Sequence, residues 1–286
     1  MSEKIWINGE VVPGSVARID PEDRGFQFAD GIYEVIRIYN RRLFTLRQHL
    51  DRLYKSAGGI DLSLPLERGE LVHQLEAFVQ RHAPSEGYIY LQVTRGAAPR
   101  NHVFPNQATP TMLFYARPMP EQAEPGASPG AALQSVPDER WKRCWIKSIA
   151  LLPNVLAKNA AIAAGADEAV FVDDGAVTEC AASNFFAVSA GRLLTHPVGP
   201  KVLPGITRLV LLELAAALKI PLEERPIRES EALAADEIFI SSTTREISWV
   251  GRWNGKPAGG GKCGPVTLRL HEAIREKVRS ETHRVS

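Results

Sequence analysis

In the stretch RCWIKSIALL, Arg143–Leu152, a single lysine, Lys147, sits among Trp145, Ile146, Ile149, Ala150, Leu151 and Leu152. A lysine on a buried strand must carry its ammonium out to water or meet a partner inside. Desolvation disfavours the charged form, by up to about 3–5 pK units in extreme cases, and leaves a free amine able to attack an aldehyde. Glu179, in AVTECAASNFF, poses the matching question, because no cation lies close to it in sequence. A carboxylate on a β-rich, mostly apolar segment is costly unless paired. Its partner is either a protein cation or a protonated ring nitrogen of a bound cofactor. Pyridoxal 5′-phosphate asks for both groups: a lysine for its aldehyde, and an anion that keeps its pyridinium charged and able to accept electrons.

A phosphate on such a cofactor needs donors of its own. In LPGITRLVLLEL, Gly205 permits close backbone approach, and Ile206 and Thr207 open a helix whose N–H groups attract anions. The run SSTTREI adds hydroxyls at a strand end, Ser242 and Thr243 among them. Arg52, in QHLDRLYKS, is one step off the Leu46/Leu50/Leu53 stripe. It either reaches inward along the core edge or pairs with an acid on its own exposed helix face. The loop TRGAAPRNH holds Arg95, Arg100 and His102. It is either a solvated turn or, through the Arg100-x-His102 alternation, a pair of donors on one side suited to a carboxylate. PAGGGKCG imitates a phosphate loop but has Lys256 where the first glycine belongs and Cys263 where Ser or Thr belongs, so it reads as a flexible surface loop.

The elements that must position these groups follow from period and turn signals. KIWINGEVV is a hairpin turning at Asn8-Gly9, and GIYEVIRIY (Gly31–Tyr39) alternates as a strand with NRRLFTL as its partner. From Leu46 the period becomes helical, and a second helix is expected over Leu66–Arg81. Tyr88–Gly96 and Thr109–Arg117 read as strands. Four prolines in PMPEQAEPGASPG, Pro118–Gly130, mark a linker. Beyond it come a strand over CWIKSIAL, a helix over NVLAKNAAIAA, a hairpin turning at Asp174-Gly175, a helix over Thr207–Lys219, a strand opening DEIFISSTTREI and a closing helix in LRLHEAIREKVRS. The fold class expected is α+β, with a small domain over 1–118, a linker over 119–130 and a larger domain over 131–286.

The chain of 286 residues balances 34 Lys+Arg against 33 Asp+Glu, a net charge of +1 that gives no reason to expect nucleic acid or an anionic membrane as partner. The opening MSEKIWINGE lacks the basic-then-apolar pattern of a secretory signal, and no apolar run approaches the ~18 residues of a membrane span. Cys144, Cys180 and Cys263 lack metal-ligand spacing, and an odd, sparse set fits a reducing compartment. The expectation is a cytoplasmic protein.

In order and spacing, DRGFQFADGIYEV, HLDRLY, VTRGAAPRNH, CWIKSIALL, VTECAASNFF, LPGITR and EIFISSTTREI resemble the D-amino acid aminotransferases, of the fold-type IV pyridoxal-phosphate class. The resemblance runs from the first hairpin nearly to the C-terminus. It implies a smaller N-terminal α/β domain, a larger β-rich C-terminal domain and pyridoxal 5′-phosphate held between them. It implies Lys147 as Schiff-base lysine and proton shuttle, and Glu179 facing the pyridine nitrogen. Arg52, Ile206, Thr207 and Thr243 would hold the phosphate, with Ser242 beside it and Leu203 against the ring. Tyr33 would bind the substrate carboxylate, with Arg100 and His102 reaching in from a second subunit, so the resemblance also implies a homodimer.

Where some relatives carry serines after the glutamate, this chain has Cys180, Ala181 and Ala182 before Ser183, so no hydroxyl contact is carried over to positions 181 and 182. Two other activities fit the same cofactor residues: a branched-chain L-amino acid aminotransferase and a lyase resembling aminodeoxychorismate lyase. A non-catalytic pyridoxal-phosphate-binding protein is the third alternative, and the presence of both Lys147 and Glu179 argues against it. Arg100-x-His102 with Tyr33 favours the D-enzyme.

Overall fold

The computed structural model describes residues 4–120, 122, 124, 127 and 129–282. Its backbone groups into two compact units. The first takes in the described residues up to Pro120 together with Ile146–Ala150, Glu281 and Thr282. The second takes in those from Gln122 to Trp145 and Leu151–Ser280. Residues 121, 123, 125, 126 and 128 of the expected linker lie outside the described residues.

The first unit is built on strands β1 (Lys4–Ile7), β2 (Glu10–Pro13), β3 (Gly31–Tyr39), β4 (Arg42–Leu43), β5 (Gly87–Thr94) and β6 (Thr111–Pro118), with helices α1 (Arg24–Phe28), α2 (Leu46–Gly58) and α3 (Arg68–His82). The sheet runs β2-β1-β6-β5-β3-β4, and its pairings are antiparallel. Asn8 and Gly9 both have positive φ, at 49° and 100°, the left-handed geometry that a tight hairpin asks of its two turn residues. Along β3 the register with β5 is unbroken from Gly31↔Thr94 to Ile38↔Gly87. That occupies one edge of β3, so β4 and the segment Ile146–Ala150 share the other, at opposite ends of the strand.

The segment around Lys147 is not the regular strand that its alternation suggests. It makes one isolated bridge, Ile32↔Ser148. The Tyr33 N–H donates to the Lys147 carbonyl at 3.0 Å and the Ile149 N–H to the Gly31 carbonyl at 3.1 Å. Between them the Ser148 N–H turns back to the Ile146 carbonyl at 2.9 Å, a three-residue γ-turn centred on Lys147. The Lys147 N–H goes to a side chain instead of a strand, donating to Ser56 Oγ of α2 at 3.0 Å.

The second unit has strands β7 (Ala131–Pro137), β8 (Glu168–Asp173), β9 (Ala176–Cys180), β10 (Asn184–Ser189), β11 (Arg192–Thr195), β12 (Leu222–Glu224), β13 (Ile227–Arg228), β14 (Glu237–Ser242), β15 (Glu246–Trp253) and β16 (Lys256–Pro257). Its helices are α4 (Leu152–Ala163), α5 (Ile206–Ala217), α6 (Glu229–Leu233) and α7 (Pro265–Thr282). The sheet order is β12-β11-β10-β14-β15-β7-β8-β9-β13, with β16 beside β15. β10 and β14 are buried on both faces, which explains the unbroken apolar runs FFAV and IFI. On one face Phe186 stacks on Phe239 at 4.7 Å beneath Val210 and Leu211 of α5 and Leu270 of α7. On the other, Phe185 meets Trp253 edge-on at 5.5 Å, with Ile238 and Ile240. The β8–β9 hairpin turns at Asp174 and Gly175, φ 49° and 71°. The glycine-rich loop after β16 is exposed at Gly260, Gly261 and Lys262, as a surface loop should be, and is anchored at its start. Ala258 is buried, and a Cβ on Gly259 would lie 2.9 Å from the Ile238 nitrogen.

Candidate active site

In the first unit the site residues collect where β3, α2 and the Lys147 turn meet. Tyr33 and Lys147 are both half-buried, and the Lys147 Nζ lies 4.2 Å from the centroid of the Tyr33 ring. Tyr33 also stacks on Tyr90 of the neighbouring strand at 5.8 Å, which limits where its ring can go. Arg52 reaches inward. Its Nε and Nη2 donate to the two oxygens of Glu34, each at 2.7 Å, and Glu34 is fully buried. His49 Nδ1 approaches the same carboxylate at 2.7 Å.

Arg100 and His102 are exposed on this chain, in the loop after β5. Both pack on one ring, Phe28: the Arg100 guanidinium lies 5.0 Å from its centroid and the His102 ring 5.4 Å. Both side chains therefore lie beside the same ring. Buried residues fasten the loop. Arg24 donates to the Asn101 carbonyl at 2.5 Å, and Arg95, tied to Asp30 at 2.8 and 3.0 Å, lies 3.7 Å from the Phe104 ring centroid.

In the second unit Glu179 is buried at the end of β9, and the cation it lacks in sequence is supplied by Arg140. Arg140 Nη1 donates to Glu179 Oε1. Glu179 Oε2 accepts from the Leu203 N–H at 3.1 Å and from Asn184 Nδ2 at 3.0 Å. Arg140 is itself held by Asp138 at 2.8 and 2.9 Å and lies over the Phe171 ring at 4.3 Å. Burial pushes the Glu179 carboxyl up to about 7, with Arg140 and the Leu203 N–H pulling it down and Asp138 adding to the rise. Such a group is costly to ionise alone and suited to a second positive partner.

Asn184 also donates to the Leu203 carbonyl at 3.0 Å, so one amide ties Glu179 to the Leu203 main chain just before α5. The first turn of α5 has no side-chain cap at Gly205. A Cβ on Gly205 would lie 1.9 Å from Asn184 Oδ1, so a larger residue there would displace the amide that ties Glu179 to Leu203. Ile206 and Thr207 thus begin a helix whose leading N–H groups are available to an anion. Ser242 Oγ accepts from the Arg245 N–H at 3.2 Å and shapes the β14–β15 turn that carries the half-buried Thr243. Beside it Ser241 Oγ is buried with no hydrogen-bond partner among the described residues, an unmet polar group of the kind a ligand satisfies.

The residues singled out from sequence divide between the units: Lys147, Tyr33, Arg52, Arg100 and His102 in the first, and Glu179, Leu203, Ile206, Thr207, Ser242 and Thr243 in the second. Sequence reasoning missed Arg140, Asp138, Glu34, His49 and Asn184. Periodicity carries no trace of pairings such as Arg140 to Glu179, which only the fold creates. The i,i+3 spacing of His49 and Arg52 beside an acid-bearing strand is the one signal that was available.

This architecture is that of a two-unit α+β enzyme of the aminotransferase type, and the family pattern "Amino-transferase class IV" matches residues 31–253. The chain belongs to the class IV aminotransferases. It is 42% identical to the D-alanine aminotransferase of Bacillus licheniformis over 98% of both chains. Among solved structures it is similar to the branched-chain aminotransferase of Thermoproteus uzoniensis with norvaline (TM-score 0.88, 28% identity, covering 98% of this chain and 96% of that one). It is likewise similar to a second branched-chain aminotransferase, from T.th., with pyridoxamine 5′-phosphate (TM-score 0.88, 26% identity, 99% and 97%). The chain is an aminotransferase of the pyridoxal-phosphate-dependent kind. Its units carry the kinds of group that cofactor needs: a lysine amine in the first, and in the second a buried carboxylate, an uncapped helix start and a buried hydroxyl without a hydrogen-bond partner among the described residues.

Proposed function

We propose that this chain moves amino groups between D-amino acids, of the D-alanine and D-glutamate type, and 2-oxo acids in a ping-pong cycle. The observation that carries the D-specific reading is the 42% identity, over 98% of the chain, to a D-alanine aminotransferase. When bound, pyridoxal 5′-phosphate supplies an aldehyde that condenses with amines and a ring that stores the electron pair left by a departing Cα proton. Lys147 would hold the cofactor through its Nζ, and its free amine would carry the proton between the substrate Cα and the cofactor C4′ atom. Glu179, kept in place by Arg140, Asn184 and the Leu203 N–H, keeps a proton on the ring nitrogen. Arg52, Ile206, Thr207 and Thr243 would hold the phosphate with Ser242 beside them, and Leu203 would lie against the ring. Tyr33 orients the substrate carboxylate, with Arg100 and His102 donated by the second subunit of a homodimer.

In the same reading residues 1–118 are the small domain, 119–130 the linker and 131–286 the cofactor-binding domain. Among the described residues no helix is long and apolar enough to cross a membrane, and Cys144, Cys180 and Cys263 are all free thiols. Those thiols support a cytoplasmic setting.

Steady-state assays with D- and L-alanine, D- and L-glutamate and L-leucine, with and without 2-oxoglutarate, test the activity. Turnover of the D-acids that depends on 2-oxoglutarate is expected. A preference for L-leucine or L-isoleucine replaces this reading with the branched-chain one. Product formation without an amino acceptor replaces it with a lyase.

A further inference from the structure

α2 presents more than apolar side chains to β3. Leu50, Leu53 and Ala57 fill the core, but His49, Arg52 and Ser56, at i, i+3 and i+7, form a buried polar stripe along the same side. Each member has a specific partner in the first unit. Ser56 Oγ takes the Lys147 N–H at 3.0 Å. His49 and Arg52 converge on Glu34, the β3 residue next to Tyr33. Burial alone would push the Glu34 carboxyl up, yet the Arg52 guanidinium, then His49, hold it down at about 2. Burial, with the Arg52 guanidinium acting the same way and against the pull of Glu34, holds His49 below its ordinary range, so His49 serves Glu34 as a neutral donor near pH 7.

A buried acid with three such bonds can be read as a plain core pair. The geometry points further. An arginine side chain is long and free to rotate, whereas a guanidinium gripped on both oxygens of one carboxylate has its plane and direction set. We infer that Glu34 is a positioning residue, fixing the Arg52 guanidinium in one orientation so that a phosphate group meets a preset donor. The inference rests on the proposed role of Arg52 as a phosphate ligand. His49 blocks the second way out, since its bond to Oε2 stops the carboxylate from turning away with Arg52.

The experiment uses the full chain stripped of cofactor and titrated with pyridoxamine 5′-phosphate, which binds without a covalent link, and separately with pyridoxamine, which lacks the phosphate. Glu34→Gln keeps the shape and removes the charge. It should weaken the phosphorylated probe about ten- to a hundredfold and leave pyridoxamine within about twofold of the parent. Arg52→Ala should lose at least as much, and the Glu34→Gln/Arg52→Ala double variant no more than Arg52→Ala alone. If Glu34→Gln does not fold, Glu34→Asp keeps the charge at shorter reach and should show a smaller loss, again confined to the phosphorylated probe. Parent-like binding by the Glu34 variants, an equal loss for both probes, or additive losses in the double variant overturns the inference while leaving Arg52 as a ligand. Parent-like binding by Arg52→Ala removes the reading of Arg52 itself, and the inference with it.

Discussion

Glu179 is a buried acid whose charge depends on company. Without a cofactor its carboxyl titrates near 7, against an ordinary value of 4.5, because burial outweighs Arg140. Between those two values the folded chain holds a proton that the unfolded chain releases, so stability falls as pH rises through that window and levels off above it. The effect is at most a few kcal/mol. Denaturant melts of the cofactor-free parent and Glu179→Gln at pH 5 and pH 8 read it directly. The parent should lose stability relative to the variant between the two, and parallel behaviour would mean that Glu179 stays ionised throughout. On the proposed reading, the same substitution in the loaded enzyme would leave the lysine attachment intact but remove the anion facing the ring. We expect retained colour and a large fall in the half-reaction rate, whereas near-parental rates would make the carboxylate structural. Lys147→Ala should lose turnover by several orders of magnitude, since holding the cofactor and shuttling the proton disappear together. Borohydride treatment and peptide mapping should find the cofactor on Lys147, and label on the exposed Lys142 or on Lys158, which pairs with Glu168 at 3.3 Å, would end the assignment.

At the scale of elements, Lys147 depends on a helix far away in sequence. The γ-turn that presents it is closed on one side by Tyr33 and on the other by Ser56 of α2. Ser56→Ala strands a partly buried N–H and should cost about 1–3 kcal/mol of stability, measured by denaturant titration, and slow the proton-transfer step. An unchanged melt with an unchanged rate would show that the turn holds itself. The same turn shows where reading the sequence stops. Gly31–Tyr39 was legible as a strand from its alternation, and Asn8-Gly9 and Asp174-Gly175 as turns, because those signals are local. The Lys147 segment alternates as well and yet is bent, because a serine 91 positions away takes the N–H that a neighbouring strand would have used. Lys147, Glu179 and the Gly205 helix start stand out as chemistry in the wrong surroundings, and that misfit is visible in one dimension. Arg140, Asn184 and Glu34 look ordinary in sequence, and only a contact spanning 39 residues, in the case of Arg140 and Glu179, gives them meaning.

For the whole molecule the decisive question is whether one chain is a complete enzyme. Arg100 and His102 lie exposed on a loop fastened by Arg24, Arg95 and Asp30, so they are held firmly but face outward on their own chain. An arginine and a histidine beside one ring, with no ion-pair partner shown for either among the described residues, suit a carboxylate brought by something else. In the proposed homodimer that is the substrate in the neighbouring subunit. With the Cα proton facing Lys147, exchanging a D for an L substrate swaps the positions of carboxylate and side chain. An apolar L side chain would then face unpaired donors, at a cost of about 1–3 kcal/mol each. Arg100→Ala should therefore raise KM for D-alanine, leave cofactor binding intact and narrow the D/L ratio. Mixing subunits tests the sharing. Chains carrying Lys147→Ala keep Arg100, and chains carrying Arg100→Ala keep Lys147, so neither homodimer has a whole site. Co-refolded in equal amounts, half of the dimers are hybrids, each with one whole site if the loop serves its neighbour. Activity at low D-alanine should then return to about one quarter of the parent value. If the loop serves its own chain, the mixture never exceeds the average of the two separate variants, and the shared-site reading falls.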